Sequence, residues 1–226
     1  MYFQSRGPAH IPCIFRTVSI KLKGAHIMRN SKTLDLCLIA LFTAIISIVS
    51  QFNIPLPGGV PMTLQTFIVP VAGIVIGSRR GFMATLSYVI LGAIGVPVFH
   101  GLTGGLGSIM GPTGGFIISF PVMALLAGMF YELAVKLSVE KTGNEKAAVY
   151  YGLTTAGLLA GTIFNYAVGV LWFVIMTHNT VVAALSACVI PFIPTTIIKI
   201  VLVLILAPAL RHTLFQARLI GSANAA

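Results

Sequence analysis

Charged residues are scarce in this sequence of 226 residues. Only 8% of the residues are charged, and four acidic residues stand against 14 basic ones. Soluble proteins carry about three times this fraction of charge, so the composition excludes an ordinary soluble domain. The few carboxylates and the three cysteines, which lack metal-ligand spacing, are too few for hydrolytic or metal chemistry. We therefore predict no enzymatic activity, no metal site and no cofactor held by this chain.

Three long stretches, residues 36–78, 81–131 and 147–198, contain no charged residue. A helix that crosses a bilayer needs roughly 20 apolar residues, so each stretch has room for two helices and a tight connection. The sequence therefore predicts an all-α membrane protein with six transmembrane helices, arranged as three hairpins. The spans are expected at about 33–52, 62–77, the segment from the 77–81 turn to 98, 114–136, 147–176, and 182–210 with a break at Pro191 and Pro194.

Basic residues lie between the predicted hairpins and outside them, whereas the hairpin tips carry no formal charge. Positively charged segments stay in the cytoplasm, so we expect both termini inside and the tips outside a bacterial plasma membrane. This topology accounts for the net charge of +10, and no nucleic-acid partner is predicted. The basic residues concerned are Arg29, Lys32, Arg79, Arg80, Lys136, Lys141, Lys146, Arg211 and Arg218.

Residues 1–27 are set apart from the membrane domain. The letters YFQS at 2–5 resemble the remnant of a protease site in an expression tag, and MRNSKTLD from Met28 is an ordinary start for a membrane protein. We expect 1–27 to be a tag-derived or disordered leader, 28–212 to be the six-helix substrate-binding domain, and 213–226 to be a cytoplasmic tail.

Seven of the sixteen residues in 101–116, GLTGGLGSIMGPTGGF, are glycine. A phosphate-binding loop is excluded, because Met110 stands where a dinucleotide fingerprint needs its third glycine and the segment has no lysine. Irregular backbone at membrane depth is buried in protein or lines a cavity. We expect a ligand site here, with Gly105 in the loop, Thr113 as N-cap of the next helix and the amide of Gly114 facing an anionic group. The alternative is a loop that packs only on its own helices.

Lys199 is the charged residue that falls inside a predicted span, away from the basic clusters. It precedes Arg211 by twelve residues, which places it roughly 18 Å from the inner boundary. A lysine at this depth costs at least about 2.5 kcal/mol, so it marks a functional site unless its side chain extends to the outer surface. No acidic residue lies deep in a span to pair with it, and a ligand carboxylate is the predicted partner. Other polar residues expected in this site are Gln65, Tyr88, His100, Asn165 and Tyr166.

Ala40, Ala44 and Ser47 form a stripe of small residues on one face of the first predicted span. Such a stripe lets another helix approach closely, and that helix can belong to this chain or to a partner. Two further small-residue pairs are expected to pack helices of this chain together, namely Gly73/Gly77 and Gly157/Gly161.

Four motifs stand out in the apolar sequence: IPLPGGVPMTLQT (54–66), GSRRG (77–81), LGAIGVPVF (91–99) and GGLGSIMGPTGGF (104–116). Together they resemble the BioY family, the biotin-binding S components of energy-coupling-factor (ECF) transporters, and the resemblance extends over about 33–210. It implies an S-component-like bundle of six helices that binds biotin. It also implies a transmembrane coupling subunit and two cytoplasmic ATPases as partners, which use the ATP. Ala40 and Ala44 match the family's A-xxx-A motif, through which the first helix docks on the coupling subunit.

One position departs from the family pattern. The last helix of BioY proteins commonly carries P-G-D-x-x-K, with the acid and the lysine near the vitamin. Here the segment reads PTTIIK (194–199), so Lys199 matches and Thr196 replaces the acid. Thr196 can still form one hydrogen bond, three residues before Lys199 on the same helix face, and is a predicted site residue.

Other functions are compatible with these patterns. The chain could be an S component for another small carboxylated vitamin, a self-sufficient secondary carrier or channel, or a membrane scaffold without a ligand. A proton-coupled carrier usually needs an acidic relay, which the predicted spans lack.

Overall fold

The computed structural model describes residues 31–54, 60–139, 141–217 and 219–220. The predicted leader, the hairpin tip at 55–59 and residues 221–226 of the predicted tail lie outside this part of the chain. The described chain is mostly helical, and β1 pairs antiparallel with β2. The helices and strands are α1 Ser31–Val49, β1 Asn53–Ile54, β2 Met62–Thr63, α2 Gln65–Ile76, α3 Ser78–Ala93, a 3-10 turn His100–Leu102, α4 Leu106–Ile109, α5 Gly114–Ser138, α6 Gly143–Thr177, α7 Val181–Cys188, a 3-10 turn Ile190–Phe192 and α8 Ile193–Gln216.

Among the described residues, four helical stretches are long and apolar enough to cross a membrane. The helices α2 and α3 are shorter, with 12 and 16 residues, so they extend about 18 Å and 24 Å against a hydrocarbon core of roughly 30 Å. They meet at Gly77, whose φ of 94° breaks the helix. The all-α membrane class is confirmed, whereas the count of six spans stays a prediction. The four long stretches are Lys32–Val49, Gly114–Ser138, Gly143–Thr177 and Val181–Gln216.

The predicted break in the last span is present. Pro191 lies in the 3-10 turn between α7 and α8, and Pro194 lies in the first turn of α8. Proline lacks a backbone N–H, so it interrupts a helix but is tolerated in the first turn of the next one. The start of α7 is capped by Thr180, whose hydroxyl accepts from the N–H of Ala183 at 3.3 Å.

The helix α5 lies at the centre of the bundle and packs against α2, α3 and α6. A Cβ on Gly73 of α2 would lie 2.1 Å from the carbonyl oxygen of Ala124 in α5. A Cβ on Gly157 of α6 would lie 2.3 Å from the Cβ of Phe130, also in α5. Glycine therefore permits both close approaches, which confirms the packing role predicted for these two residues. Gly77 instead ends α2.

Acidic and basic groups contact each other at the end of the bundle where α2 meets α3. Nη2 of Arg80 lies 2.7 Å from Oδ1 of Asp35, and this ion pair joins α3 to α1. Glu132 of α5 accepts from the N–H of Ser78 at 2.9 Å and from its hydroxyl at 3.0 Å. We call this the basic end; its contacts tie α1, α3 and α5 together.

Arg211 also belongs to the basic end, but its position differs from the prediction that it follows the last span. It lies inside α8, which continues to Gln216, and it is 4% exposed. Its guanidinium lies 5.0 Å from the centre of the Tyr131 ring and donates to the carbonyl of Ile74. An arginine with these partners can be buried, because a carbonyl accepts from its guanidinium and the cation lies over an aromatic face.

Candidate functional site

A cavity lies at the end of the bundle opposite the basic end. The helix α2 connects the two ends: it begins at the cavity with Gln65 and ends at Ile76, close to Arg79 and Arg80 in the first turn of α3. Its free volume is about 40 Å³, room for a few water molecules at about 10–15 Å³ each. The lining is mostly apolar with a few polar groups, as is typical of small-molecule sites. The lining residues are Val60, Pro61, Thr63, Gln65, Thr66, His100, Thr113, Phe116, Ile117, Phe120, Tyr166, Cys188 and Phe192.

A chain of hydrogen bonds joins the start of α2 to α3 beside the cavity. The hydroxyl of Thr63 donates to Oε1 of Gln65 at 3.0 Å, and Nε2 of Gln65 donates to the phenol oxygen of Tyr88 at 2.6 Å. Tyr88 is fully buried, and its ring meets Phe99 edge-on with centroids 5.4 Å apart. Of these two predicted site residues, Gln65 lines the cavity and Tyr88 supports it from behind.

Lys199 turns into the bundle rather than extending to the outer surface. Its ammonium donates to the carbonyl of Thr63 at 2.7 Å and to the hydroxyl of Thr66 at 2.9 Å, and the residue is 8% exposed. Thr63 and Thr66 line the cavity, whereas Lys199 lines an apolar groove on the other side of Thr63. Both acceptors are neutral, so within the described chain this ammonium has no carboxylate partner.

Thr196, the residue that replaces the family's acid, contacts Tyr166. Their two hydroxyl oxygens are 2.6 Å apart. Tyr166 lines the cavity from α6, and Thr196 stands behind it on α8. Each hydroxyl can donate one hydrogen bond and accept others, so the pair can present either a neutral donor or a neutral acceptor to the cavity.

Asn165 ties α6 to α5 and is fully buried. Its Nδ2 donates to the carbonyl of Phe116 at 3.0 Å and to the hydroxyl of Ser119 at 2.6 Å. Phe116 lines the cavity and Asn165 does not. Asn165 therefore acts on the cavity wall through the start of α5.

The glycine-rich loop folds into the turn His100–Leu102 and the short α4 before α5 begins. The N–H of Gly105 donates to the carbonyl of Gly92 at 2.6 Å, and the N–H of Gly114 donates to the carbonyl of Gly111 at 3.1 Å. Both amides donate within the protein, so the expectation of a free amide at Gly114 is wrong. A φ of 87° at Gly105 lets the loop turn back onto α3. Ligand contacts by Gly105 and Gly114 stay predictions.

Thr113 occupies the N-cap position of α5, but its side chain does not cap the helix. A capping residue normally has extended backbone, whereas Thr113 has helical φ and ψ of −92° and −4°. Its Oγ1 lies instead 3.5 Å from Nε2 of His100, and both residues line the cavity. Burial lowers the pKa of His100, so its imidazole is neutral at pH 7.

Several residues at the cavity were not identified from the sequence. Thr63 and Thr66 lie in the motif at 54–66, so that motif pointed to their segment. Nothing in their spacing indicated that these two residues, rather than their neighbours, face the cavity. Cys188 lines the cavity and carried no signal beyond that of a small buried residue. Ser50 and Gln51 contact the loop after α3, and no sequence pattern indicated this contact.

Ala40, Ala44 and Ser47 lie along a surface groove between α1 and α3. Ala40 and Ala44 are both exposed within the described bundle. Within the part of the chain that the structure describes, no helix covers these two alanines, which favours the partner-facing alternative. We call these three residues the α1 stripe.

A family model described as the BioY family matches residues 22–216. The chain belongs to the BioY family. The matched region begins inside the segment 1–27 that was expected to be a leader, and it extends to the last residue of α8. BioY proteins are transporter S components rather than enzymes, which confirms that part of the prediction.

Two relatives of known description cover most of the chain, and a third covers less than half of it. BioY2 of Lactococcus lactis, a biotin transporter, is 37% identical over 191 residues, which are 82% of this chain and 97% of that protein. The biotin transporter BioY of Thermotoga maritima is 36% identical over 171 residues, 76% of this chain and 92% of that protein. A probable biotin transporter BioY of Pyrococcus horikoshii is 48% identical over 98 residues, 43% of this chain and 60% of that protein.

One solved structure is similar in three dimensions. It is the S-component for biotin from an ECF-type ABC transporter, with a TM-score of 0.69 and 28% identity. The likeness covers 82% of this chain and 93% of that one. The predicted S-component-like fold is therefore confirmed.

Proposed function

We propose that this chain is the biotin-binding S component of an ECF importer in a bacterial plasma membrane. The observation that carries the proposal is the cavity at the start of α2. Family motifs supply its polar lining at Thr63, Gln65, Thr66 and Thr113, and Lys199 is bonded to that lining from behind. Family membership and the biotin transporters among its relatives support the same ligand.

The lining suits the chemistry of biotin. Biotin combines a cyclic urea, an apolar thioether ring and an aliphatic chain that ends in a carboxylate. Phe116, Phe120 and Phe192 offer apolar surface for the ring system. The hydroxyls of Tyr166 and Thr113 can bind the urea, which presents two donors and one acceptor.

Lys199 supplies the charge that the carboxylate needs. An ammonium has three protons, and the bonds to Thr63 and Thr66 use two of them. A buried cation with only neutral acceptors is costly, and an anionic partner compensates that cost. A carboxylate that reaches Thr66 therefore gains both a hydrogen bond and a nearby positive charge.

The cavity must widen for this ligand. Its free volume is about 40 Å³, whereas pockets for small molecules typically measure about 300–1,000 Å³. The 3-10 turn between α7 and α8 carries Phe192 on the cavity wall and is not part of a continuous helix. We infer that this turn and the loop with His100 move apart when biotin enters.

Transport requires partners. We propose that the α1 stripe docks on a transmembrane coupling subunit, and that two cytoplasmic ATPases supply the energy. In this arrangement the isolated chain binds biotin but does not concentrate it. A self-sufficient carrier would instead take up biotin in proteoliposomes without the ATPases.

A thermal-shift screen of the purified chain against water-soluble vitamins tests the ligand. Biotin at 100 times its dissociation constant should stabilise the protein by about 2.7 kcal/mol. Biotin amide is the matched control, because it keeps the ring system and lacks the carboxylate; it should stabilise much less. If a different carboxylated vitamin stabilises the protein and biotin does not, that vitamin and not biotin is the ligand. No response to any vitamin would favour the scaffold.

A further inference from the structure

The end of α1 is bonded to the loop that carries His100. Ser50 and Gln51 directly follow α1, and the Ser50 hydroxyl donates to the carbonyl of Val98 at 2.5 Å. Nε2 of Gln51 donates to the same carbonyl at 3.2 Å, and Oε1 of Gln51 accepts from the N–H of Leu102 at 2.9 Å. One amide side chain therefore holds both ends of the segment 98–102, which we call the His100 loop.

The His100 loop is held in an unfavourable backbone conformation. Gly101 and Leu102 have φ values of 68° and 56°. Left-handed backbone is acceptable for glycine but unfavourable for a leucine. Leu102 is 70% exposed, so packing of its side chain does not compensate. The hydrogen bond from its N–H to Gln51 is therefore a contact that keeps this turn in place.

The same loop forms part of the cavity wall. His100 lines the cavity between Phe99, whose ring packs on Tyr88, and Gly101. A backbone bond from the N–H of Phe99 to the carbonyl of Thr103 at 3.0 Å closes the base of the loop. A change in the His100 loop must therefore move a wall of the cavity.

Gln51 also contacts the α1 stripe. Its Nε2 donates to the carbonyl of Ser47 at 3.0 Å, and Ser47 lies in the same surface groove as Ala40 and Ala44. The bond spans one turn of α1. A single side chain is thus bonded to the end of the stripe and to the loop that carries His100 on the cavity wall.

We propose that Gln51 is a positioning residue that holds the His100 loop closed over the ligand and links that loop to the α1 stripe. The proposal rests on the proposed function, because it takes biotin as the ligand and the stripe as the docking surface. A partner that shifts the last turn of α1 breaks the bonds of Gln51. The strained turn at Leu102 then relaxes, the wall with His100 moves, and biotin is released.

The test uses Gln51→Ala in the purified full chain, embedded in lipid nanodiscs. Radiolabelled biotin should dissociate about tenfold faster than from the wild type, which corresponds to about 1.4 kcal/mol. The amide of Leu102 should also exchange its hydrogen faster in the ligand-free variant, because its acceptor is gone. The melting temperature should change little, since Leu102 is exposed and the Val98 carbonyl keeps its bond to Ser50.

Asn53→Ala is the matched control. Asn53 also carries an amide and donates to the backbone carbonyl of Gln51 at 3.0 Å, but its described bonds do not reach the His100 loop. Dissociation and exchange should stay at wild-type values. A second variant, Leu102→Gly in the Gln51→Ala background, should slow dissociation again, because glycine accepts the left-handed turn without a penalty. A general loss of stability would not be rescued in this way.

The inference is overturned if Gln51→Ala changes neither biotin dissociation nor exchange at Leu102, or if Leu102→Gly gives no rescue. Failure of the proposed function looks different: the wild type would then bind no biotin. The exchange measurement needs no ligand, so it still reports whether Gln51 holds the loop.

Discussion

The two ends of the bundle hold their polar residues in opposite ways. At the basic end, Arg80 pairs with Asp35 at 2.7 Å and Glu132 accepts two bonds from Ser78. At the cavity end of the described chain, the hydrogen bonds run between neutral groups, and Lys199 joins them as a cation that donates to the carbonyl of Thr63 and the hydroxyl of Thr66. Charge is thus compensated by acidic groups of the chain at one end and by neutral acceptors at the other. Under the proposed function, the first arrangement stabilises the fold and the second receives the carboxylate of the ligand.

The helix α1 joins the two ends. Asp35 lies in its first turns, the α1 stripe follows, and Gln51 comes just after its last residue. Substitutions at the basic end, on the stripe and at the cavity end should therefore affect different properties: folding stability, transport and affinity.

Ala44→Trp should have the largest effect and abolish ATP-driven uptake while biotin affinity stays unchanged. Close helix approach does not tolerate a large side chain, so the partner cannot dock. Uptake into proteoliposomes with the partner subunits is the measurement. The control is Leu41→Trp, because Leu41 is on the same helix and 53% exposed but does not line the groove. Loss of binding in Ala44→Trp would mean that the stripe supports the bundle itself.

Lys199→Met should weaken biotin binding by about 3–5 kcal/mol, the usual cost of removing one partner of a buried ion pair. Isothermal titration calorimetry with the wild type and the variant gives this difference directly. Lys136→Met is the control, because Lys136 is exposed near the basic end. The biotin affinity of this variant should match that of the wild type. Normal biotin binding by Lys199→Met would show that the charge of Lys199 does not contribute to the site. The contrast between the two ends of the bundle would then not hold.

Glu132→Gln should lower the free energy of unfolding by about 1–2 kcal/mol, because it replaces a charge-assisted bond to Ser78 with a neutral one. The dissociation constant for biotin should stay within about twofold of the wild type. Denaturant unfolding and calorimetry measure the two quantities. The control is Glu145→Gln, in which an exposed carboxylate loses only its 3.4 Å ion pair with Lys141. The free energy of unfolding and the dissociation constant for biotin should both be unchanged in this control. A large affinity change in Glu132→Gln would show that the two ends are coupled.

The smallest predicted effect is a pH dependence at His100. Burial lowers its pKa below the ordinary value of 6.5, so the folded state favours the neutral imidazole more than the unfolded state does. The stability contributed by this residue is present above pH 6.5 and is lost as the pH falls through the lowered pKa. The melting temperature should therefore decrease between pH 7 and pH 5.5 by a larger amount in the wild type than in His100→Gln. Equal decreases would place the imidazole in contact with water.

The sequence predicted which segments form the site better than it predicted the atoms that face the cavity. Gln65, Thr113, His100 and Tyr166 line it as expected. Tyr88 and Asn165 lie behind the wall, because a hydropathy pattern identifies a polar residue in a span but not the direction of its side chain. The amide of Gly105 donates to the carbonyl of Gly92 in α3, and the amide of Gly114 donates to the carbonyl of Gly111 in the loop. Glycine content predicts a tight loop, and the folding of that loop uses the Gly114 donor that had been assigned to a ligand.

The amino-acid sequence by itself determined the membrane class and the family, because both depend on runs of apolar residues, on clustered charge and on motifs that are contiguous in the chain. The tertiary structure alone decided which residues meet. Lys199 bonds to Thr63, 136 positions earlier, and Gln51 reaches Leu102, 51 positions later. Such pairs depend on how α8 packs against α2 and how the His100 loop returns to α1, and no local periodicity carries that information.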